Sequence, residues 1–389
     1  MIRLWLAVLC GYLALGATLQ VLPDFTTRHF AAGPALVGLV IGVASLSAAV
    51  LRPVAGRAAD TGRARWSVLA AGAFGVLGGL GHLWSPNLTV LIGARLLLGA
   101  SEGAIFVAAV AWVLRAARPE RRGGIAGWFG LSIWAGVAVG PVLAVWLGHI
   151  GGLDAVWAAV ILLPAIGFAL TLSTRSPARS SADTQIGVHP GVHRRLLPPS
   201  ARLPGLIMGL SSYGYGTIAT LLLLRLRHGG LGGESAALAV FAIAFLITRA
   251  AGSPLVDRLG GAQVAIVSSI VEAVGLFLVG GATGLHVALV GVAISGAGVA
   301  LVYPAMVAIT VERTTPEEQG AAVGVMTSFW DLAIVVAGPI GGLVAHSVGY
   351  PVAFGLAGVI AIAAALLTLR LRHSGNAHDV ELKNATLDP

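Results

Sequence analysis

The stretch from Arg52 to Arg65, RPVAGRAADTGRAR, lies between two long apolar runs and decides how the chain folds. Its glycines, aspartate and arginines within a few positions predict a tight turn between two membrane helices. Gly56 and Gly62 would allow close backbone approach and a sharp reversal. Asp60 is expected to accept from the free N–H groups that begin the next helix, and the arginines, Arg63 included, hold the turn on the cytoplasmic side.

A weaker copy of this stretch, RAAGSPLVDRLGG, runs from Arg249 to Gly261. Arg52 and Asp60 recur 197 residues later as Arg249 and Asp257, the latter followed by Arg258. Further pairs keep the same offset, among them Pro119 with Pro316, Glu120 with Glu317, Arg28 with Arg225 and His149 with His346. The register indicates a duplicated membrane protein built from two parallel repeats.

Composition supports a membrane protein. The chain is 57% apolar and 10% charged, with 54 glycines and a mean hydropathy of +0.90, whereas soluble domains are about a quarter charged. The net charge of +8 comes from arginines in short loops, which is a topology signal and does not predict nucleic-acid binding. Cys10 is the single cysteine, so no intrachain disulfide or cysteine metal site is possible. We predict no metal and no cofactor.

Apolar runs of about 20 residues mark the membrane spans. We predict twelve, near 4–22, 35–56, 66–84, 88–114, 123–148, 155–173, 203–224, 236–256, 262–284, 286–311, 320–347 and 350–371. The predicted fold is therefore an all-α polytopic membrane protein of two six-helix halves. The halves are 1–175 and 203–372, joined by a cytoplasmic linker at 176–202 and followed by a polar tail at 373–389.

The basic residues predict the orientation. Most fall on loops that are cytoplasmic if the N-terminus is inside, so both termini are predicted to be cytoplasmic. Lys383 is the only lysine among 24 basic residues, which is typical of a GC-rich bacterial genome. The predicted location is the bacterial cytoplasmic (inner) membrane, with the lipid bilayer as surroundings and a monomer as the expected state.

Several of these stretches resemble signatures of the major facilitator superfamily. They are the loop at 56–65, Leu22–Pro23 closing the first span, Arg95 with Gly99 and Gly103 on the fourth, and Gly136, Gly140 and Pro141 on the fifth. The last set resembles a signature associated with antiporters of that superfamily. Ser253 replaces the leading glycine in the second loop copy, and a Gly-Gly pair follows Gly338–Pro339 on the eleventh span and not Pro141. The resemblance implies the twelve-helix fold and the drug:proton antiporter type.

Ionisable groups at membrane depth are costly and are functional candidates by default. Glu102 and Asp331 lie near the middle of their spans, one in each half, and are the proton-coupling candidates. Arg95 lies seven residues before Glu102, nearly two helical turns, so the two side chains share a face about 10 Å apart along the helix axis. For Arg95 and Glu102 the alternative is a structural polar network, and for Asp331 it is an interhelical hydrogen bond. Glu272 lies on the ninth span, which the resemblance makes peripheral, and we interpret it as structural.

Other polar and aromatic residues on the spans are candidates for lining a substrate cavity, with ordinary packing as the alternative: Tyr12, Gln20, Tyr213, Tyr215, Tyr303 and Trp330. Gly136, Gly140 and Pro141, with Gly338 and Pro339 on the eleventh span, predict close helix contacts at a moving seam. Histidines near the outer helix ends are given no proton role: His82, His149, His286 and His346.

The favoured function is a secondary active transporter that exports a small, partly apolar molecule in exchange for protons. Proton-coupled uptake of a small metabolite is the alternative within transport, and Arg95 could hold an anion in either case. A polytopic membrane enzyme would need clustered carboxylates or histidines at one membrane face, which the sequence lacks. The sequence also lacks a phosphate-binding Gly-Lys-Ser/Thr loop, which argues against ATP-driven pumping.

Overall fold

The computed structural model describes residues 1–60, 62–115, 122–174, 199–314 and 319–385. The described residues form α-helices. Their bounds are α1 Ile2–Phe30, α2 Pro34–Asp60, α3 Ala64–Leu83, α4 Leu88–Arg115, α5 Arg122–Leu172, α6 Pro199–His228, α7 Glu234–Leu259, α8 Gly261–Gly281, α9 Leu285–Ala300, α10 Val302–Glu312, α11 Gln319–Val348 and α12 Tyr350–Ala385. The all-α polytopic fold predicted from hydropathy is confirmed.

The helices differ from the predicted spans in two places. Within the described residues, 11 helical segments are long and apolar enough to cross a membrane. The longest, Trp128–Leu172, holds both the fifth and sixth predicted spans, which join at a kink where Gly152 has a φ of +65°. The tenth predicted span breaks at Leu301 into α9 and α10. Twelve crossings therefore remain consistent with the helices observed.

The first helix is longer than predicted. The prediction that Leu22–Pro23 closes it is wrong, since α1 continues through Pro23 to Phe30. Proline removes one backbone donor, but such a loss is tolerated inside membrane helices. The Pro23 carbonyl still accepts a hydrogen bond, from the Thr27 hydroxyl at 2.9 Å.

The turn predicted across Arg52–Arg65 is much shorter than expected. Helix α2 runs on to Asp60, so Arg52 and Gly56 are helical. An added Cβ at Gly56 would come no closer than 3.7 Å to Val107, so close backbone approach does not require glycine there. Gly62 does reverse the chain, with a φ of +80°, and Gly260 does the same in the second copy, with a φ of +82°.

The contacts divide the chain into two compact units. Unit 1 is Met1–Leu22 with Val43–Pro198, and unit 2 is Pro23–Gly42 with Pro199–Pro389. The end of α1 and the start of α2 thus belong to unit 2, although they fall within the predicted N-terminal half. An ion pair between Asp24 and Arg227 ties the end of α1 to α6 within that unit.

The predicted linker at 176–202 falls almost wholly outside the described residues. At the other end of unit 2, the backbone of α12 stays helical to Ala385, past the predicted end of the twelfth span. The predicted polar tail at 373–389 therefore begins as a continuation of this helix.

Candidate functional site

In unit 1, α2 and α4 touch through their backbones. An added Cβ at Gly99 would overlap the carbonyl oxygen of Ala44, and one at Gly103 would lie 2.5 Å from the carbonyl oxygen of Ala48. The Ser47 hydroxyl, on the same face of α2, donates to the Leu96 carbonyl of α4 at 2.7 Å. The two glycines flank Glu102, so they bring its side chain close to α2.

Glu102 is paired with an arginine from that helix. Arg52 Nη2 lies 4.0 Å from Glu102 Oε1, and the two side chains are 20% and 19% exposed. The Tyr12 hydroxyl of α1 donates to the Glu102 backbone carbonyl at 3.3 Å. Three helices of unit 1 therefore meet at Glu102, and Arg52 is a participant whose role sequence reasoning missed.

Arg95 is more deeply placed on α4, with 1% of its surface exposed. His82 lies in the same unit, in the last turn of α3, as its predicted place near a helix end requires, and its side chain is fully buried. Its Nδ1 is 2.7 Å from the Gly78 carbonyl, and its ring centroid is 5.1 Å from that of Trp157. Gln20 is half-buried on α1.

In unit 2, Asp331 lies on α11 with 2% of its surface exposed. The neighbouring Trp330 places its ring 5.2 Å from that of Tyr215 on α6. Tyr215 in turn lies 5.7 Å from Phe241 on α7. Two predicted cavity residues, Trp330 and Tyr215, are thus brought together in an aromatic cluster next to a buried acid.

Arg249, the second-copy counterpart of Arg52, has a different environment. It donates to the Ala300 carbonyl at 2.9 Å, where α9 ends, and its guanidinium carbon lies 5.5 Å from the ring centroid of Tyr303. The 197-residue offset carries Glu102 to Val299, so this copy has no acid at that position. The arginine therefore caps a broken helix and lies against an aromatic ring.

The predicted glycine contacts are found in both units. In unit 1, an added Cβ at Gly136 would lie 2.6 Å from the Cβ of Tyr12, and one at Gly140 would lie 2.6 Å from the Leu13 carbonyl oxygen. In unit 2, an added Cβ at Gly338 would overlap the backbone of Gly38. Glycine is therefore sterically required where α5 meets α1 and where α11 meets α2.

The side chain of Asp60 lies outside the described residues. Arg63, Asp257 and Arg258 are exposed at helix ends. In the described part of the chain, no group of three or more His, Cys, Asp or Glu side chains is placed to hold a metal ion.

Long apolar helices that bury arginine, glutamate and aspartate are typical of a multi-pass membrane protein with a polar interior. The chain belongs to the Major Facilitator Superfamily, whose family model matches residues 4–232 and 205–387. It is 32% identical over 389 residues to the uncharacterized MFS-type transporter YhhS of Escherichia coli K12, covering 97% of this chain and 93% of that one. It is 30% identical over 381 residues to an uncharacterized MFS-type transporter of Salmonella typhimurium, STM4428, covering 95% and 96%.

Solved structures agree on the fold. A bacterial homologue of the human lysosomal transporter Spinster superposes with a TM-score of 0.73 at 14% identity, covering 96% of both chains. The nucleoside transporter NupG superposes with a TM-score of 0.74 at 12% identity, covering 95% of this chain and 98% of that one. Membership of the Major Facilitator Superfamily makes the protein a secondary transporter of a small molecule.

Proposed function

We propose that the protein is a proton-coupled exporter of a small, partly apolar molecule, working by alternating access as a monomer in the bacterial cytoplasmic membrane with both termini inside. The observation that carries the proposal is the ion pair of Glu102 and Arg52. Its 4.0 Å separation exceeds the 2.7–3.2 Å or so of an N–H···O hydrogen bond. At this separation the Glu102 carboxylate can give up its interaction with Arg52 and take up a proton more readily than a carboxylate in a tight bidentate pair.

Protonation of Glu102 would remove the attraction that links α4 to Arg52 on α2. The protonated and ionised forms would then favour different arrangements of these two helices. Substrate that prefers one arrangement is linked to the proton through the same equilibrium. Asp331, buried on α11 in unit 2, is the second proton-coupling candidate.

The aromatic cluster supports a partly apolar substrate. Tyr215, Phe241 and Trp330 offer ring faces together with the polar handles of a phenol and an indole. Pockets for small molecules combine apolar walls with a few polar groups in this way. A flat, partly apolar compound is the substrate class that such rings would hold.

The test uses proteoliposomes with an imposed pH gradient, ethidium as the transported probe and pyranine to report internal pH. Glu102→Gln and Asp331→Asn are measured separately, with Glu312→Gln, at an exposed position on α10, as the control. The coupling variant should lose gradient-driven accumulation while retaining probe exchange at equal pH. If both neutral variants still concentrate the probe as wild type does, these two acids do not couple transport.

Proton-coupled uptake of an anionic metabolite is the second candidate, and the burial of Arg95 favours it. A buried guanidinium is a natural partner for a carboxylate or phosphate. The same vesicles decide between the two, since export by exchange moves substrate and protons in opposite directions and symport moves them together.

A further inference from the structure

Glu272 on α8 is the most completely buried acid among the described residues. Its exposed fraction is 0%, and neither carboxyl oxygen has a hydrogen-bond partner among those residues. A structural glutamate that knits helices together would show such partners, since buried polar groups are normally hydrogen-bonded. The interpretation of Glu272 as a structural residue therefore lacks the contacts it predicts.

The space around this side chain is made by glycines on two neighbouring helices. An added Cβ at Gly214 on α6 would overlap Oε1 of Glu272, and one at Gly298 on α9 would overlap its backbone nitrogen. Leu276, one turn after Glu272 on α8, bounds the same space, since its Cδ1 lies 2.8 Å from the Gly214 Cβ position. The carboxyl group thus occupies a slot that exists only because two side chains are missing.

Neutral hydroxyl groups lie around the slot. One turn before Glu272, the Ser269 hydroxyl lies 3.1 Å from that of Ser211 on α6. On α9, the Ser295 hydroxyl is buried and has no hydrogen-bond partner among the described residues. An added Cβ at Gly275 would overlap the Ser295 backbone nitrogen, which puts Ser295 one turn beyond Glu272.

Ionisable side chains of α6 make their contacts elsewhere. The Tyr213 hydroxyl lies 4.0 Å from the Cβ position of Gly341 on α11. Arg225 donates to the Gly280 carbonyl at the C-terminal end of α8, about two turns from Glu272. The face that α6 presents to the acid is therefore Ser211 and Gly214.

The other helices packed against α8 are α7, α9, α10 and α12. Arg249 on α7 and Tyr303 on α10 contact each other. The remaining ionisable residues that the structure describes on these helices lie near or beyond the ends of the membrane-spanning segments: Glu234, Asp257, Arg258, His286, Glu312, Tyr350 and Arg370. No cation from these described elements contacts Glu272 to balance a negative charge.

We infer that Glu272 is a proton-binding site, loaded in this conformation and emptied when α6, α8 and α9 shift during transport. An unpaired carboxylate in such surroundings is costly, whereas the neutral acid fits a slot lined by hydroxyls and small residues. Loading forms one O–H bond on the carboxyl group as a hydronium ion becomes water, and release transfers that proton back to water. The inference rests on the proposed proton coupling and adds a third acid, in unit 2, to the groups that carry it.

Infrared difference spectroscopy of the reconstituted protein tests the site without relying on transport. Wild type should show a protonated-carboxyl C=O band that weakens after an alkaline pH step and is lost in Glu272→Gln. Gly214→Ala should shift this band, because the new Cβ occupies the place of Oε1. The control is Gly281→Ala on the same helix, where an added Cβ meets nothing within 4 Å.

If the protonated-carboxyl band changes neither with pH nor on adding substrate, Glu272 is permanently neutral and the inference is wrong. Loss of the band on adding Na⁺ at constant pH would overturn it in favour of a cation site. In the pyranine assay, Glu272→Gln should lower the number of protons moved per substrate by one. If wild type moves no protons, the proposed coupling fails, and the pH response of the band still decides whether Glu272 exchanges a proton.

Discussion

Breaking the Arg52–Glu102 ion pair should destabilise unit 1 measurably. At 4.0 Å and an effective dielectric constant near 20, two unit charges attract each other by about 4 kcal/mol. Removing one partner of a fully buried pair costs about 3–5 kcal/mol, and exposed pairs contribute about 0–1 kcal/mol. With side chains 20% and 19% exposed, we expect Glu102→Gln to lower the free energy of unfolding by about 2–3 kcal/mol.

The measurement is a double-mutant cycle in mixed detergent micelles, with the free energy of unfolding followed by helical circular dichroism. Glu102→Gln, Arg52→Met and the double variant should give a coupling energy of about 2 kcal/mol, because removing both charges leaves no charge uncompensated. A second cycle pairs Arg52→Met with Glu234→Gln at the start of α7 and should be additive. A coupling energy below about 0.5 kcal/mol for the first pair would refute an energetically significant ion pair.

Two further substitutions test backbone contacts. Gly140→Leu should abolish transport, because the new side chain blocks the approach of α5 to α1. Gly148→Leu on the same helix should leave vesicle transport unchanged, because an added Cβ there meets nothing within 4 Å. Normal transport by Gly140→Leu would show that the contact between α5 and α1 is not mechanically important. Arg249→Met should lower the free energy of unfolding by about 1–3 kcal/mol, because the buried Ala300 carbonyl loses its charged donor. Arg258→Met, at an exposed position, should change it by less than about 0.5 kcal/mol, and equal effects would argue against the cap.

Hydropathy and the repeat were enough to predict the helical membrane fold, because each span needs its own run of apolar residues. Helix ends were less predictable, since the cues used were proline and arginine. Proline usually ends helices in water, but Pro23 is tolerated within α1. Arg52 lies inside α2, and its charge is paired with Glu102 on α4.

Individual candidate residues could be predicted from the sequence, but which of them contact each other could not. Glu102 follows from its depth in an apolar run, but its partner Arg52 comes from another helix at a separation that the sequence pattern does not encode. Glu272 was interpreted as a structural residue because the resemblance makes the ninth span peripheral. Its slot depends on Gly214 and Gly298, and in a chain with 54 glycines nothing distinguishes those two from the rest.

The broken tenth span also bears on how the protein is made. Arg249 precedes by 51 residues the Ala300 carbonyl that it binds. At 5–20 residues per second, the ribosome needs roughly 3–10 s to reach that acceptor. During this interval Arg249 is present before the carbonyl that it caps, so this contact between α7 and α9 can form only after α9 has been synthesised.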